Sequence, residues 1–311
     1  MDREKSPSIL SVNILYLILA IILITAGALA QKQNIYIGIL ITEYILVLLP
    51  NIWFIKSKGL SLKNVLRLNK ISIKESITII LITILSYPVI VFLQAIFIAI
   101  LSIFREIDPT TAIPLPTDGL SFILGFLVIG VSPGICEEIM FRGTIMKAYE
   151  RLGYKKSIII SAILFGMFHF TLLNFIGPTI LGIIFGILVH KTNSIYGSII
   201  GHTVNNTMAL SIGYLVGKYE STIDDILQGG STEVAGPSLI GVLLGIMIIG
   251  LCAYTVIILI RSLSSEKENN QMEMTELIIS IDKTRTTHLL EYISIFLVII
   301  LFIVLNFNFV L

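Results

Sequence analysis

Long apolar stretches follow one another almost from end to end of this chain, separated by short polar turns. A helix needs about 20 apolar residues to cross the hydrocarbon core of a bilayer. That measure predicts spans near 9–30, 34–55, 76–104, 120–146, 157–174, 176–190, 194–217, 237–260 and 290–310. The expected fold is therefore all-α, a polytopic transmembrane helical bundle of about nine spans. The pair 157–174 and 176–190 is squeezed, and its second member is short enough to be partly re-entrant. Gly177-Pro178 supplies the turn signal between them. Residues 60–73 read either as an interfacial helix or as a basic loop. Leu62, Val65, Leu66 and Asn69 fall there at helical spacing, and Lys63, Arg67 and Lys70 can face anionic headgroups.

Composition agrees with a membrane protein. Of 311 residues, 55% are hydrophobic and 13% charged, against about a quarter charged in a soluble domain; mean hydropathy is +0.95. The net charge of +1 is uninformative, but its distribution is not. With nine spans, all but four of the 21 lysines and arginines fall on one side. Lys32, Arg105 and Lys218 lie on the other, and Arg142 lies within the membrane. The positive-inside rule then puts the N-terminus in the cytoplasm and the C-terminus outside. Ala28-Leu29-Ala30 resembles a signal-peptidase site, yet the preceding run is long for a signal peptide, and a retained anchor is expected. Acidic residues at 105–119 and 218–236 read as solvated external loops, and 264–289, with His288, as a polar cytoplasmic stretch. Cys136 and Cys252 both fall in apolar segments, which excludes a disulfide framework. No internal repeat of the transporter kind is visible.

Three polar clusters interrupt the apolar pattern: Glu137-Glu138-Ile-Met-Phe-Arg142, Phe165-Gly-Met-Phe-His169 and His202-Thr-Val-Asn-Asn206. A charged side chain at the centre of a span costs about 3 kcal/mol on the translocon scale and normally faces the bundle interior or a wet cavity. Charged and polar groups in three separate spans therefore point to one buried site. Glu137 and Glu138 project about 100° apart on a helix and cannot share one task. Glu138 and Arg142, four positions apart with the acid first, have the favourable ion-pair spacing, which leaves Glu137 as the freer carboxylate and candidate general base. Phe165 and His169 share a helix face, as do His202 and Asn206. Peptide hydrolysis needs an activated water and donors aimed at the developing oxyanion. Glu137 with His169 suits the first task, His202 with Asn206 the second, and Phe165 would fix the His169 ring.

Other chemistries compete. Glu137, His169 and His202 could supply three zinc ligands, although no H-E-x-x-H is present and no second-shell partner can be named. Cys136 invites a thiol-nucleophile reading, but it points to another helix face than Glu137 among apolar neighbours. A transporter using the same residues as an ion path and a non-catalytic membrane scaffold or immunity factor are further alternatives. Glu43, alone in the second span, reads as a satisfied core or water-facing residue, and His190, followed by Lys191 at a span end, as interfacial.

At the three clusters the chain resembles the CPBP family of intramembrane glutamic endopeptidases, which includes the type II CAAX prenyl endopeptidases and bacterial Abi proteins. The family's Glu-Glu-x-x-x-Arg, Phe-x-x-x-His and His-x-x-x-Asn/Asp motifs read here as Glu137, Glu138 and Arg142; Phe165 and His169; His202 and Asn206. The resemblance covers roughly residues 60–215. It implies a bundle whose polar cavity opens toward the cytosol. In that cavity Glu137 and His169 activate water, while His202 and Asn206 form the oxyanion hole. It also divides the chain into N-terminal spans (1–59), a protease core (60–262), and a cytoplasmic loop with a C-terminal span (263–311). That last span is an addition to an eight-span family core and is expected to leave the site untouched. The expected partners are a peptide or lipidated protein substrate and membrane lipids, with no nucleic acid. No cofactor is expected, with zinc the alternative.

Overall fold

The computed structural model describes residues 6–104, 107, 116–229, 239–263 and 289–307, and these form helices and turns with no strand among them. Among the described residues six segments are long and apolar enough to cross a membrane. They are α1 (Ile9–Gln33), α2 (Ile35–Ser57), α4 (Ile73–Ser102), α5 (Gly119–Leu152), Leu172–Thr192, whose α-helical part is α7 (Ile176–Thr192), and α9 (Leu239–Ser262). A single turn, α3 (Leu62–Val65), precedes α4. The helices α6 (Tyr154–Met167) and α10 (Ile293–Leu305) are shorter, and α8 (Ile195–Gly229) runs for 35 residues. The fold is the all-α polytopic bundle that the apolar pattern predicts.

Local chemistry sets the helix ends. Ser72 and Glu75 form a reciprocal capping box at the start of α4, and Asp118 with Ser121 does the same for α5. Gly153, at φ +95°, ends α5, and Asn193, at φ +47°, ends α7 in the left-handed conformation. Within α5 the residues Ile139–Ile145 adopt the wider π-helical winding directly after Glu138, a feature often found at functional positions.

Several boundaries differ from expectation. The span expected at 157–174 stops at Met167, and the chain turns through Phe170, at φ +56°, before a short 3₁₀ turn at Leu172–Asn174. Gly177 and Pro178 are not the turn but lie in the first turn of α7, where a missing N–H removes no helical bond. The helix expected to end at 217 continues to Gly229, because hydropathy marks where the membrane ends, not where helix-forming residues end. The 60–73 segment is not an amphipathic helix: α3 is four residues long, and Val65 and Leu66 are buried in the protein core. His190 is likewise buried, its ring stacked on Tyr154 at 4.3 Å. Glu106, Asp108 and Glu233 of the expected external loops, the 264–288 stretch and His288 lie outside the described residues.

Two apolar clusters meet around α5. One joins Tyr16 of α1, Phe141 of α5 and Phe165 and Phe168 of α6, with the Phe141 and Phe165 rings 5.0 Å apart. The other joins Ile79 and Ile82 of α4, Phe185 and Leu188 of α7 and Val256 of α9. The three polar clusters lie along the seam between them.

Candidate active site

Glu138 is fully buried, and its Oε1 accepts from Arg142 Nη1 at 2.8 Å and from His202 Nδ1 at 2.9 Å. The ion pair expected on helical spacing is therefore present, but the same oxygen also holds His202 across from α8. The other face of that imidazole turns to Glu137, with Nε2 and Oε2 3.7 Å apart. One histidine thus stands between two adjacent carboxylates, hydrogen-bonded to Glu138 and 3.7 Å from Glu137. The Arg142 guanidinium is boxed by aromatic faces, 4.5 Å from the Phe165 centroid and 5.4 Å from that of Phe185. Phe185 also stacks on the His202 ring at 5.4 Å. A carboxylate and ring faces thus both help to compensate this buried cation.

The close crossing of α5 and α8 makes this network possible. A Cβ at Gly134 would stand 2.4 Å from Thr203 Oγ1 and 3.2 Å from Thr203 N. Only glycine allows the helices to approach there, one turn before Glu137 and Glu138 and one residue after His202. Further along α8, Asn206 Nδ2 donates to the Ile129 carbonyl at 3.0 Å, and its Oδ1 accepts from Asn205 at 3.2 Å. An amide nitrogen carries two hydrogens, so one donor of Asn206 is left for a ligand.

His169 is built differently. It sits just past the end of α6, and its Nδ1 donates to the Phe165 carbonyl at 3.1 Å. Phe165 stands between the two histidines, edge-on to His169 at 5.2 Å and to His202 at 5.7 Å. The expected contact of Phe165 with His169 is therefore present, and the same ring also meets His202 and Arg142.

The structure brings Glu137, Glu138, Arg142 and His202 into one connected network. Asn206 lies one turn further along α8, and His169 faces the group across Phe165. Among the described residues no three His, Cys, Asp or Glu side chains are grouped so as to hold a metal ion. Glu43 of α2 is buried in a segment that packs on Ser132–Glu138 of α5, and its Oε2 has no hydrogen-bond partner among the described residues. Its solitary place in an apolar span marked it as unusual but could not say what it faces. Phe185 carried no sequence signal at all, being one phenylalanine in an apolar run.

Among the described residues, cavities lie on either side of α8. One, of 460 Å³, is apolar and lies between α4, α5 and α8 beside Ile84, Phe126, Thr203 and Thr207. The other, of 320 Å³, is more polar and lies beside Tyr87, Gln94, Asn174 and Asn205.

No curated protein and no solved structure matches the chain. Residues 119–208 match the family model described as type II CAAX prenyl endopeptidase Rce1-like, and that segment contains every residue of the three polar clusters. The protein is thus a multi-pass membrane protein whose residues 119–208 are similar to the Rce1-like type II CAAX prenyl endopeptidases.

Proposed function

We propose that the protein hydrolyses a peptide bond of a lipidated or hydrophobic peptide within the membrane, with Glu137 as general base. The observation that carries this reading is the division of labour between the two adjacent glutamates. Glu138 is consumed by Arg142 and His202, whereas Glu137 keeps a partly accessible carboxylate beside the His202 ring. A water held by Glu137 and His169 attacks the scissile carbonyl carbon, and its proton passes to Glu137. His202 Nε2 and the remaining Asn206 N–H stabilise the oxyanion. With Nδ1–H committed to Glu138, His202 donates from Nε2 only when its ring holds both protons. Collapse of the tetrahedral intermediate breaks the C–N bond, and the proton on Glu137 goes to the leaving amine. The apolar 460 Å³ cavity beside Thr203 and Thr207 offers room for a lipid chain or a large apolar side chain. The resemblance of the three motifs to the CPBP family supports a site that opens to the cytoplasm.

The test is cleavage of fluorogenic hydrophobic peptides, some farnesylated, by the purified protein with and without a chelator. Wild-type cleavage that survives the chelator and falls at least about 1,000-fold in Glu137→Gln, with the melting temperature unchanged, is the expected result. Chelator-sensitive cleavage would replace the water-activation scheme with a zinc one. Activity retained in Glu137→Gln would remove the glutamate from the mechanism.

A further inference from the structure

His169 stands on a break in the helical chain, and what holds that break comes from outside the family domain. After Met167 the backbone reverses through Phe170, which has a positive φ, and such a conformation in a non-glycine residue persists only where its surroundings enforce it. The break frees backbone donors and acceptors, and inside a membrane protein these need partners. Two side-chain amides supply them. From the C-terminal end of α10, Asn306 Oδ1 accepts from Leu172 N–H at 2.6 Å, while Nδ2 donates to the Phe170 carbonyl at 3.2 Å and the Phe302 carbonyl at 2.8 Å. From α4, Gln94 Oε1 accepts from Gly177 N–H at 2.7 Å, and Nε2 donates to the Leu173 carbonyl.

Asn306 is buried at 3% exposure, and both of its amide hydrogens and its oxygen are used. A residue that only finished its own helix would bond Phe302 alone; two of these three bonds reach the segment that follows His169. The C-terminal helix is itself anchored. Glu291, in the turn before α10, accepts from Asn13 through its carbonyl at 2.8 Å, and Tyr149 OH donates to the same asparagine at 2.8 Å. The Phe302 and Phe175 rings meet at 5.6 Å. The last helix, expected to leave the site untouched, thus bonds the segment that follows His169.

We propose that Asn306 and Gln94 are positioning residues, a two-sided amide clamp on residues 170–177 that sets where the His169 ring stands. The role in catalysis rests on the function proposed above, while the clamp itself does not. His169 needs it because its ring is held by one hydrogen bond and one aromatic edge. His202, by contrast, is buried, hydrogen-bonded to Glu138 through Nδ1 and stacked on Phe185.

The full-length protein in detergent, as wild type, Asn306→Ala, Asn306→Asp and Gln94→Ala, tests this by hydrogen exchange and by NMR of histidine labelled at Cε1. In Asn306→Ala, exchange over 168–175 should rise about tenfold or more while 130–142 stays protected. The His169 resonance should shift and narrow, and that of His202 should not move. Asn306→Asp keeps the acceptor for Leu172 and should restore part of the protection. Gln94→Ala should loosen the same segment from the other side. Where cleavage is measured, kcat should fall about 10- to 100-fold with KM nearly constant. Unchanged exchange and an unmoved His169 signal in both alanine variants would overturn the clamp. A moved His169 signal with unchanged kcat would overturn its positioning role. An inactive wild type would sink the proposed function alone, since exchange and NMR still decide the clamp.

Discussion

The α5–α8 crossing and the α6–α7 turn bring candidate catalytic groups to the same place by opposite means. At the crossing, Glu138, Arg142 and His202 are buried and bonded to one another, so charge compensation inside the network fixes their geometry. At the turn, His169 is exposed on irregular backbone, and its place depends on amides from helices remote in sequence. The first half carries its own positional information within residues 119–208. The second half borrows it from α4 and α10. A site of this kind has a rigid side and an adjustable side, and mutations should report the difference.

The largest effect is expected from breaking the rigid side. Arg142→Met removes the guanidinium partner of buried Glu138, which should cost about 3–5 kcal/mol. Thermal unfolding in detergent would show it. The double variant Arg142→Met, Glu138→Gln should recover much of that loss, because the uncompensated charge is gone. Equal melting temperatures for the single and double variants would mean that the pair does not govern the stability of this half.

A smaller effect is expected from prising the crossing apart. Gly134→Val places atoms where Thr203 now sits, an overpacking cost of about 1–3 kcal/mol. It should also separate Glu137 from His202 and abolish cleavage while leaving the 168–175 segment unaltered in hydrogen exchange. Changes spread equally over both halves would show that they are not independent.

The smallest effect belongs to the brace behind α6. Tyr16 OH donates to the Leu164 carbonyl at 2.7 Å, and Tyr16→Phe should cost about 0.6–1 kcal/mol in the melt. Cleavage should remain close to wild type, because Phe168 and Phe141 still pack the ring. A collapse in activity would place the adjustable side under tighter control from α1 than its contacts indicate.

Much of this was legible in the residues alone. Runs of apolar residues determined the helical bundle, because a bilayer leaves backbone groups no partners except those within the helix. The spacing of Glu138 and Arg142 determined their pairing, since four positions on a helix share a face. Spacing likewise set Phe165 against His169. The position of the turn after α6 was not legible: Gly177-Pro178 is a strong local signal, but proline is tolerated in a first helical turn, and the actual reversal uses Phe170, which carries no signal at all.

Only the tertiary structure decided which helices meet. Sequence distance gives no hint that Glu138 bonds His202, 64 positions away, or that Asn306 bonds Leu172, 134 positions away. Such contacts depend on close approaches like that at Gly134 and on irregular backbone that must find donors and acceptors somewhere. Periodicity along one helix determines which side chains share a face, and packing between helices determines what that face meets.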